Sequence, residues 1–252
     1  MIDTHCHLDF ENFDKDRDEV IKRSKQNLTA LINSGTSFEG NIRTLQLSKE
    51  YNGFIYPSFG FHPLQSANKS SECVNRVLSQ INDCINEIIA IGEVGMDFFY
   101  VKDKLQRDKQ IDIFKKFCNF ANEHQKPVLI HCRDAEKKAL NIVNQFDNIP
   151  NVVFHCYSGS LKTAKKIEDI GYFMSASTMI EYSKKHQELF SEISLDNILT
   201  ETDSPYLHPS RGKRNEPSFV SLTIDKIAEL KEIEVSVVNK ITEDNAKNVF
   251  NI

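Results

Sequence analysis

Histidines and carboxylates stand at the ends of short apolar segments along the chain, beginning with the pair His5 and His7. A single residue, Cys6, separates these two histidines. Side chains on a strand alternate between its faces, so both imidazoles would point the same way and could bind one cation. Two histidines can also meet at a strand end by chance, so the metal interpretation of this pair depends on further ligands.

Three further ligand-type residues follow apolar segments in the middle of the chain. Glu93 lies in the glycine-flanked segment 91–95, where an unpaired carboxylate would be costly to bury. Such a carboxylate either pairs with an arginine or lysine or bridges two metal ions. His131 and His155 each end an apolar segment, and one such histidine alone is more often a satisfied core residue. Two at matched positions, with Glu93 one strand earlier, indicate a second metal.

Two carboxylates mark the end of the last predicted strand. We interpret Asp203 as a metal ligand that could also accept a proton from the attacking water, which makes it, with Glu93, an expected catalytic residue. Glu201 lies on the same face of the strand, one layer deeper, and is expected to support the ligands.

The donor set limits the metal. Four imidazoles and two carboxylates suit Zn²⁺, Mn²⁺, Co²⁺ or Ni²⁺ better than a pure Mg²⁺ site, although Mg²⁺ or Mn²⁺ in use stays open because availability often decides. Cys6, Cys132 and Cys156 each follow a candidate histidine, and strand alternation turns them toward the helices. We therefore expect packing thiols, and the six cysteines contain no C-x-x-C pair that would favour a structural zinc site.

These residues need a scaffold that brings distant strand ends together. Short apolar segments alternate with longer amphipathic ones, which predicts parallel strands joined by right-handed helical crossovers. The predicted strands are 1–5, 28–34, 55–62, 88–97, 127–133, 151–158, 172–177 and 197–203, and the predicted helices are 14–26, 38–51, 71–86, 104–123, 135–146, 161–170, 184–193, 218–231 and 234–250.

Eight such units in 252 residues predict one α/β domain over 1–252, a closed (β/α)8 TIM barrel. An open doubly wound sheet is the alternative, but no G-x-G-x-x-G follows the first strand. In a barrel the carboxyl ends of the strands converge on one face, so residues two hundred positions apart would meet there.

The composition of the chain limits which kinds of partner it can bind. A net charge of −5 gives no global attraction to nucleic acid, so a polyanionic substrate would need a local basic patch or bound metal. The chain opens without a signal-peptide pattern, and no apolar run approaches the roughly 18 residues that would span a bilayer. We expect a cytoplasmic protein without a membrane partner, and no obligate protein partner is evident.

Cationic residues at the same face suggest a phosphate-containing substrate, because phosphoryl transfer needs charge stabilisation at the phosphate oxygens. Arg133 lies two residues beyond His131 and therefore on its face. His62 ends the third predicted strand and could contact phosphate or donate a proton. Beyond the last strand a basic loop offers further candidates, which could equally be a solvated surface loop: Arg211, Lys213 and Arg214.

Aromatic residues follow the fourth predicted strand. Phe98, Phe99 and Tyr100 could stack on nucleic-acid bases, or they could pack the loop onto its own barrel. The pattern alone leaves both interpretations open.

The motifs that carry these residues resemble the TatD-type metal-dependent deoxyribonucleases, a branch of the amidohydrolase-like barrels. The resemblance runs nearly end to end, through DTHCHLD (3–9), GFHP (60–63), GEVGMD (92–97), IHCRDA (130–135), HCYSG (155–159), ETDSPYL (201–207) and RGKRNEP (211–217). Tyr157 replaces the usual Phe of the family, and the sequence Met-Asp-Phe at 96–98 replaces its Leu-Asp-Tyr. Both departures leave the ligands intact.

The resemblance implies a function and a division of the ligands between two divalent ions. His5, His7, Glu93 and Asp203 would hold one ion, while Glu93, His131 and His155 would hold the other. It implies a nuclease that cleaves DNA, usually as a 3′–5′ exonuclease and often with magnesium, and RNA is a further candidate substrate. A hydrolase of another bond, such as an aminoacyl-tRNA ester, is the alternative. A non-catalytic metal-binding barrel is disfavoured because the ligand set is complete.

Overall fold

Eight parallel strands form one sheet in which each strand pairs with the next along the chain. The computed structural model describes all residues 1–252. A parallel bridge between Cys6 and Ser204 joins the last strand region to the first and closes the barrel, which confirms the predicted fold. The strands are β1 Ile2–Cys6, β2 Ala30–Gly35, β3 Ile55–Phe59, β4 Ala90–Asp97, β5 Val128–Arg133, β6 Val152–Phe154, β7 Phe173–Ala176 and β8 Ile198–Thr200.

Helices surround this barrel and follow the strands in alternation. They are α1 Arg17–Ser24, α2 Phe38–Glu50, α3 Pro63–Ser66, α4 Ser71–Asp83, α5 Lys104–His124, α6 Glu136–Val143, α7 Leu161–Ile170, α8 Lys184–Glu192, α9 Val220–Lys231 and α10 Val235–Phe250. Four short 3-10 segments connect them, at Glu11–Phe13, Thr178–Glu181, Leu195–Asn197 and Pro217–Phe219. None of the helices combines the length and the apolar composition needed to cross a membrane.

Local sequence signals explain several helix boundaries. The hydroxyls of Ser37, Ser70 and Ser160 each accept a hydrogen bond from a backbone N–H three residues later and so cap α2, α4 and α7. Gly171 ends α7 with a φ of 86°, a left-handed conformation that glycine adopts without a steric penalty. The three serines thus mark where the loops before these helices end, and Gly171 marks where the loop after α7 begins.

Several strands end earlier than the sequence pattern predicts. The third predicted strand reached His62, but β3 stops at Phe59, and His62 instead caps α3 by accepting a hydrogen bond from Leu64 N at 3.2 Å. A four-residue helix has too few residues to show an apolar period, which is why the sequence did not predict α3. At Cys156 and Asp203 the φ angles of 44° and 54° turn the chain out of the extended conformation beyond β6 and β8.

The interior of the barrel is filled by inward-facing residues from strands on opposite sides of it. Ile2, Ile32, Leu129, Val153 and Leu199 come from five different strands and lie in one buried cluster, which is possible only inside the barrel. The same cluster includes residues of α10, which therefore packs against the barrel interior: Ala246, Val249 and Phe250.

A carboxylate on β1 accepts hydrogen bonds from the chain that follows β8, along the seam where the barrel closes. Asp3 is buried and accepts hydrogen bonds from Thr202 N at 3.0 Å and from Thr202 Oγ1 at 2.6 Å. Backbone bonds from His7 N to Ser204 O and from Asp203 N to His5 O continue this pairing beyond the strands. The seam thus holds the first histidine pair beside Asp203.

Candidate metal centre

All six predicted metal ligands meet at the carboxyl end of the barrel. Five of them line a cavity of about 660 Å³, together with aromatic, polar and cationic side chains from several loops, while His5 is fully buried and is not among the lining residues. The cavity is lined by His7, Phe10, Thr36, His62, Leu64, Gln65, Glu93, Asp97, Tyr100, His131, Arg133, His155, Asp203, Tyr206 and Leu207. The convergence that the barrel predicted is therefore present.

A first cluster of donor atoms surrounds one carboxylate oxygen of Glu93. The Nε2 atoms of His5 and His7 are 3.2 Å apart, and each lies 3.5 Å from Glu93 Oε2. Asp203 Oδ1 is 3.4 Å from His7 Nε2 and 3.9 Å from His5 Nε2. Two imidazole nitrogens and two carboxylate oxygens thus face one another, as ligands of a single cation would.

A second cluster surrounds the other oxygen of the same carboxylate. His131 Nδ1 is 2.6 Å from Glu93 Oε1, and His155 Nε2 is 2.9 Å from it. The two imidazole nitrogens are 3.2 Å apart. His62 Nε2 approaches the same oxygen at 3.5 Å. Glu93 therefore presents one oxygen to each histidine group.

Hydrogen bonds orient the two histidines of the first cluster from behind. His7 Nδ1 lies 2.7 Å from the Ser34 carbonyl oxygen, which can only accept, so Nδ1 carries the proton and Nε2 is free for a cation. His5 Nδ1 lies 3.2 Å from the Ser34 hydroxyl. One residue of β2 therefore orients both imidazoles.

Carboxylates stand behind the histidines of the second cluster. Glu201 is fully buried, and its Oε1 lies 3.4 Å from His155 Nδ1, at the depth that the sequence predicted for a supporting residue. Asp97 Oδ2 lies 3.2 Å from His131 Nε2. Sequence reasoning missed Asp97, although its position four residues after Glu93 on β4 places it on the same face of the strand.

The carboxylates and imidazoles of the site shift one another's pKa values. Burial raises the pKa of Glu93, but the surrounding imidazoles, that of His155 foremost, outweigh it and hold this pKa well below its usual range. Burial lowers the pKa of His7, but a hydrogen bond to Asp203 and the charge of Glu93 outweigh it and raise the pKa to about 9. Cations that bind here would replace protons on such imidazoles.

The donor chemistry fits divalent metal ions. Glu93 is 2% exposed and has no arginine or lysine partner, so the buried ion pair that the sequence left open does not explain it. The thiols do not compete as ligands: Cys6 Sγ contacts the Ile32 carbonyl oxygen and Cys156 Sγ contacts Ser177 Oγ, both at 3.4 Å. All six cysteines are free.

Candidate substrate-binding residues divide into two groups. His62 and Arg133 line the cavity, and the Arg133 guanidinium lies over the Phe99 and Tyr100 rings at 4.3 and 5.3 Å. Arg211 and Lys213 are exposed on the predicted basic loop but are not among the cavity-lining residues. Arg214 points elsewhere, because its guanidinium forms two hydrogen bonds with Asp16, at 2.7 and 2.6 Å.

Comparisons with known proteins agree with this arrangement. The model of the family described as TatD related DNase matches residues 2–251. An uncharacterized metal-dependent hydrolase of Methanocaldococcus jannaschii is 40% identical over 99% of this chain and 96% of its own length. Deoxyribonuclease TATDN3 of Homo sapiens is 31% identical over 99% of this chain and 94% of its own length.

A solved structure supports the same conclusion. The YJJV protein of Escherichia coli, a TatD homolog, superimposes with a TM-score of 0.92 at 26% identity, covering 100% of this chain and 98% of the other. A TatD-family hydrolase of Entamoeba histolytica shares the fold, with a TM-score of 0.88 at 19% identity. Family model, relatives and barrel together identify this chain as a metal-dependent hydrolase that belongs to the TatD-related DNase family.

Proposed function

We propose that this chain is a nuclease that hydrolyses phosphodiester bonds at the 3′ end of DNA, with two divalent ions at the centre and with RNA as a second substrate. One observation carries the proposal: the two oxygens of Glu93 face different histidine groups, His5 and His7 on one side, His131 and His155 on the other. A carboxylate with that placement can bridge a pair of cations.

The division of roles follows from position. Two divalent ions at this centre would neutralise charge on the attacking and leaving oxygens of the phosphate. The side chain of Asp203 is 16% exposed, whereas that of Glu93 is 3% exposed, so Asp203 is the carboxylate that an attacking water can reach and that can accept its proton. Glu93, deeper in the barrel, holds the two halves of the centre together.

Arg133 supplies the positive charge that the substrate phosphate needs. Its guanidinium lies against Phe99 and Tyr100 at the edge of the cavity, which limits its movement while leaving its N–H groups free for phosphate oxygens. Tyr100 and Tyr206 border the same cavity and are 60% and 53% exposed, so their rings are available to stack on bases.

The dimensions of the cavity favour a strand end over the middle of a strand. A volume of about 660 Å³ falls in the range of roughly 300–1,000 Å³ that is typical of small-molecule sites. Such a cavity encloses a terminal nucleotide better than a long stretch of duplex. The relative from Homo sapiens is named a deoxyribonuclease, which supports DNA as the polymer.

End-labelled oligonucleotides test the proposal. Metal-loaded protein should release mononucleotides stepwise from the 3′ end of DNA, and both Glu93→Ala and Asp203→Ala should lower the rate by at least about 10³-fold, because each removes a ligand. Glu192→Ala changes an exposed glutamate on α8 without a side-chain partner and should keep full activity. Circular dichroism checks that all variants fold.

Two outcomes would overturn it. Nuclease activity equal to wild type in either ligand variant would show that the cleavage does not depend on this centre. Hydrolysis of an aminoacyl-tRNA ester without any cleavage of DNA or RNA would assign the same centre to a different bond.

A further inference from the structure

We propose that Asp97 is a positioning residue that decides which ring nitrogen of His131 faces Glu93, and thereby whether the second half of the centre can bind a cation. This inference rests on the proposed two-ion function. Among the predicted ligands, Asp97 forms a hydrogen bond or ion pair with His131 alone, so the His131 imidazole is its direct link to the centre.

His131 is turned differently from the other histidines around Glu93. His5, His7 and His155 direct Nε2 toward the carboxylate, whereas His131 directs Nδ1, at 2.6 Å from Glu93 Oε1. Its Nε2 points the opposite way, to Asp97 Oδ2 at 3.2 Å. An ionised carboxylate can only accept a hydrogen bond, so the proton sits on Nε2 and the Nδ1 lone pair is left for a cation.

Asp97 is itself fixed in place. It is 1% exposed, its Oδ1 accepts a hydrogen bond from Tyr100 N at 2.8 Å, and its backbone N–H donates to Gln110 Oε1 at 3.1 Å. Gln110 is held in turn by the Pro63 carbonyl oxygen. The carboxylate therefore cannot rotate without losing the bond from Tyr100.

This arrangement makes asparagine a severe replacement. The Tyr100 N–H would hold the amide oxygen of an Asp97→Asn side chain, so the amide NH2 would face His131 Nε2. Two donors cannot face each other, and the ring proton would have to relocate from Nε2 to Nδ1. That proton would then occupy the position that the cation needs.

The carboxylate behind the neighbouring histidine provides a contrast. Neither side-chain oxygen of Glu201 accepts a hydrogen bond of regular geometry, and Oε1 approaches His155 Nδ1 only at 3.4 Å. No backbone N–H determines which way an amide would turn, so Glu201→Gln can present its oxygen to His155 and keep the tautomer. The two changes are chemically alike, but only the change at Asp97 forces a proton to move.

Titration of metal-free protein with Zn²⁺ separates these effects. Wild type should bind two ions, and Asp97→Asn should keep one site unchanged while weakening the other by about 10–100-fold. Asp97→Ala removes the acceptor without imposing a donor and should weaken the same site less. Glu201→Gln should cause a smaller loss than Asp97→Asn, and Asp108→Asn, an exposed change on α5, should cause none.

The order of the two Asp97 variants distinguishes positioning from packing. If Asp97 only filled space, Asp97→Ala would lose more metal affinity than the nearly isosteric Asp97→Asn, and that order would overturn the inference. Two ions bound by Asp97→Asn with affinities within twofold of wild type would overturn it as well. A wild-type protein that binds a single ion would instead refute the two-ion function on which it rests.

A second measurement needs no variant. Long-range ¹H–¹⁵N spectra of the zinc-loaded wild-type protein locate each histidine ring proton. The inference requires the His131 proton on Nε2, and a proton on Nδ1 would overturn it.

Discussion

Replacing Gly95 by alanine should disrupt both the barrel and its second ligand group. Gly95 lies on β4 opposite His131, with a φ of 148°, and a Cβ there would collide with the His131 carbonyl oxygen. The backbone strain alone costs about 1–3 kcal/mol. Relieving the collision means moving β5 and weakening hydrogen bonds between the strands, at about 1 kcal/mol each. With one or two such bonds lost, the expected loss in free energy of unfolding for Gly95→Ala is about 2–5 kcal/mol.

Gly53→Ala is the matched control for this change. Gly53 also has a positive φ, 76°, but a Cβ there has no atom within 4 Å, so only the backbone cost of about 1–2 kcal/mol remains. Equilibrium unfolding in urea of the metal-free proteins measures both values. Gly95→Ala should also weaken Zn²⁺ binding at least about tenfold, because the proposed ligand His131 is displaced. Equal stability losses at the two glycines, with unchanged metal binding, would refute the reasoning.

Three further predictions concern substrate binding, stability and metal uptake. Arg133→Gln should raise the KM for DNA by about 10–100-fold with a smaller change in kcat, because a charge-assisted contact to phosphate is lost. Steady-state kinetics measure both constants, and an unchanged KM would exclude the contact. Burial lowers the pKa of His186 from 6.5 to about 4, so the unfolded chain takes up a proton first and stability falls by up to about 3 kcal/mol as pH drops from about 6.5 to 4; His186→Gln should flatten that slope in urea melts. His7 has a pKa of about 9 without metal, so Zn²⁺ that binds near pH 7 should displace protons from the protein. Calorimetry in buffers of different ionisation enthalpy detects this release. A binding enthalpy that is the same in every buffer would contradict it.

The sequence patterns predicted the fold because the strand and helix patterns of the separate segments agree with the architecture of the whole barrel. Every predicted strand overlaps an observed one, and His5, His131 and Glu93 lie on the strands where alternation placed them. His155 and Asp203 lie one and three residues beyond the ends of their strands. A one-sequence pattern cannot locate such ends, because the chain leaves the ladder at positive φ angles that residue type does not reveal.

The site contains two features that spacing could not supply. Arg214 follows the proposed ligand Asp203 along the chain and has the charge for phosphate, yet its guanidinium is bound to Asp16, a partner 198 residues away. Asp97 was on the correct face of its strand, but nothing in the sequence distinguished it from an ordinary aspartate at a strand end. Its role follows from the structure, in which His131 lies beside it. Both depend on which side chains meet across the closed barrel.

The central claim is that Glu93 bridges two cations, and metal-loaded crystals test it most directly. An anomalous difference map recorded at the zinc absorption edge should contain two peaks, one beside each carboxylate oxygen of Glu93. One peak should contact His5, His7 and Asp203, and the other should contact His131 and His155. A single peak, or two peaks that share no ligand, would contradict the account.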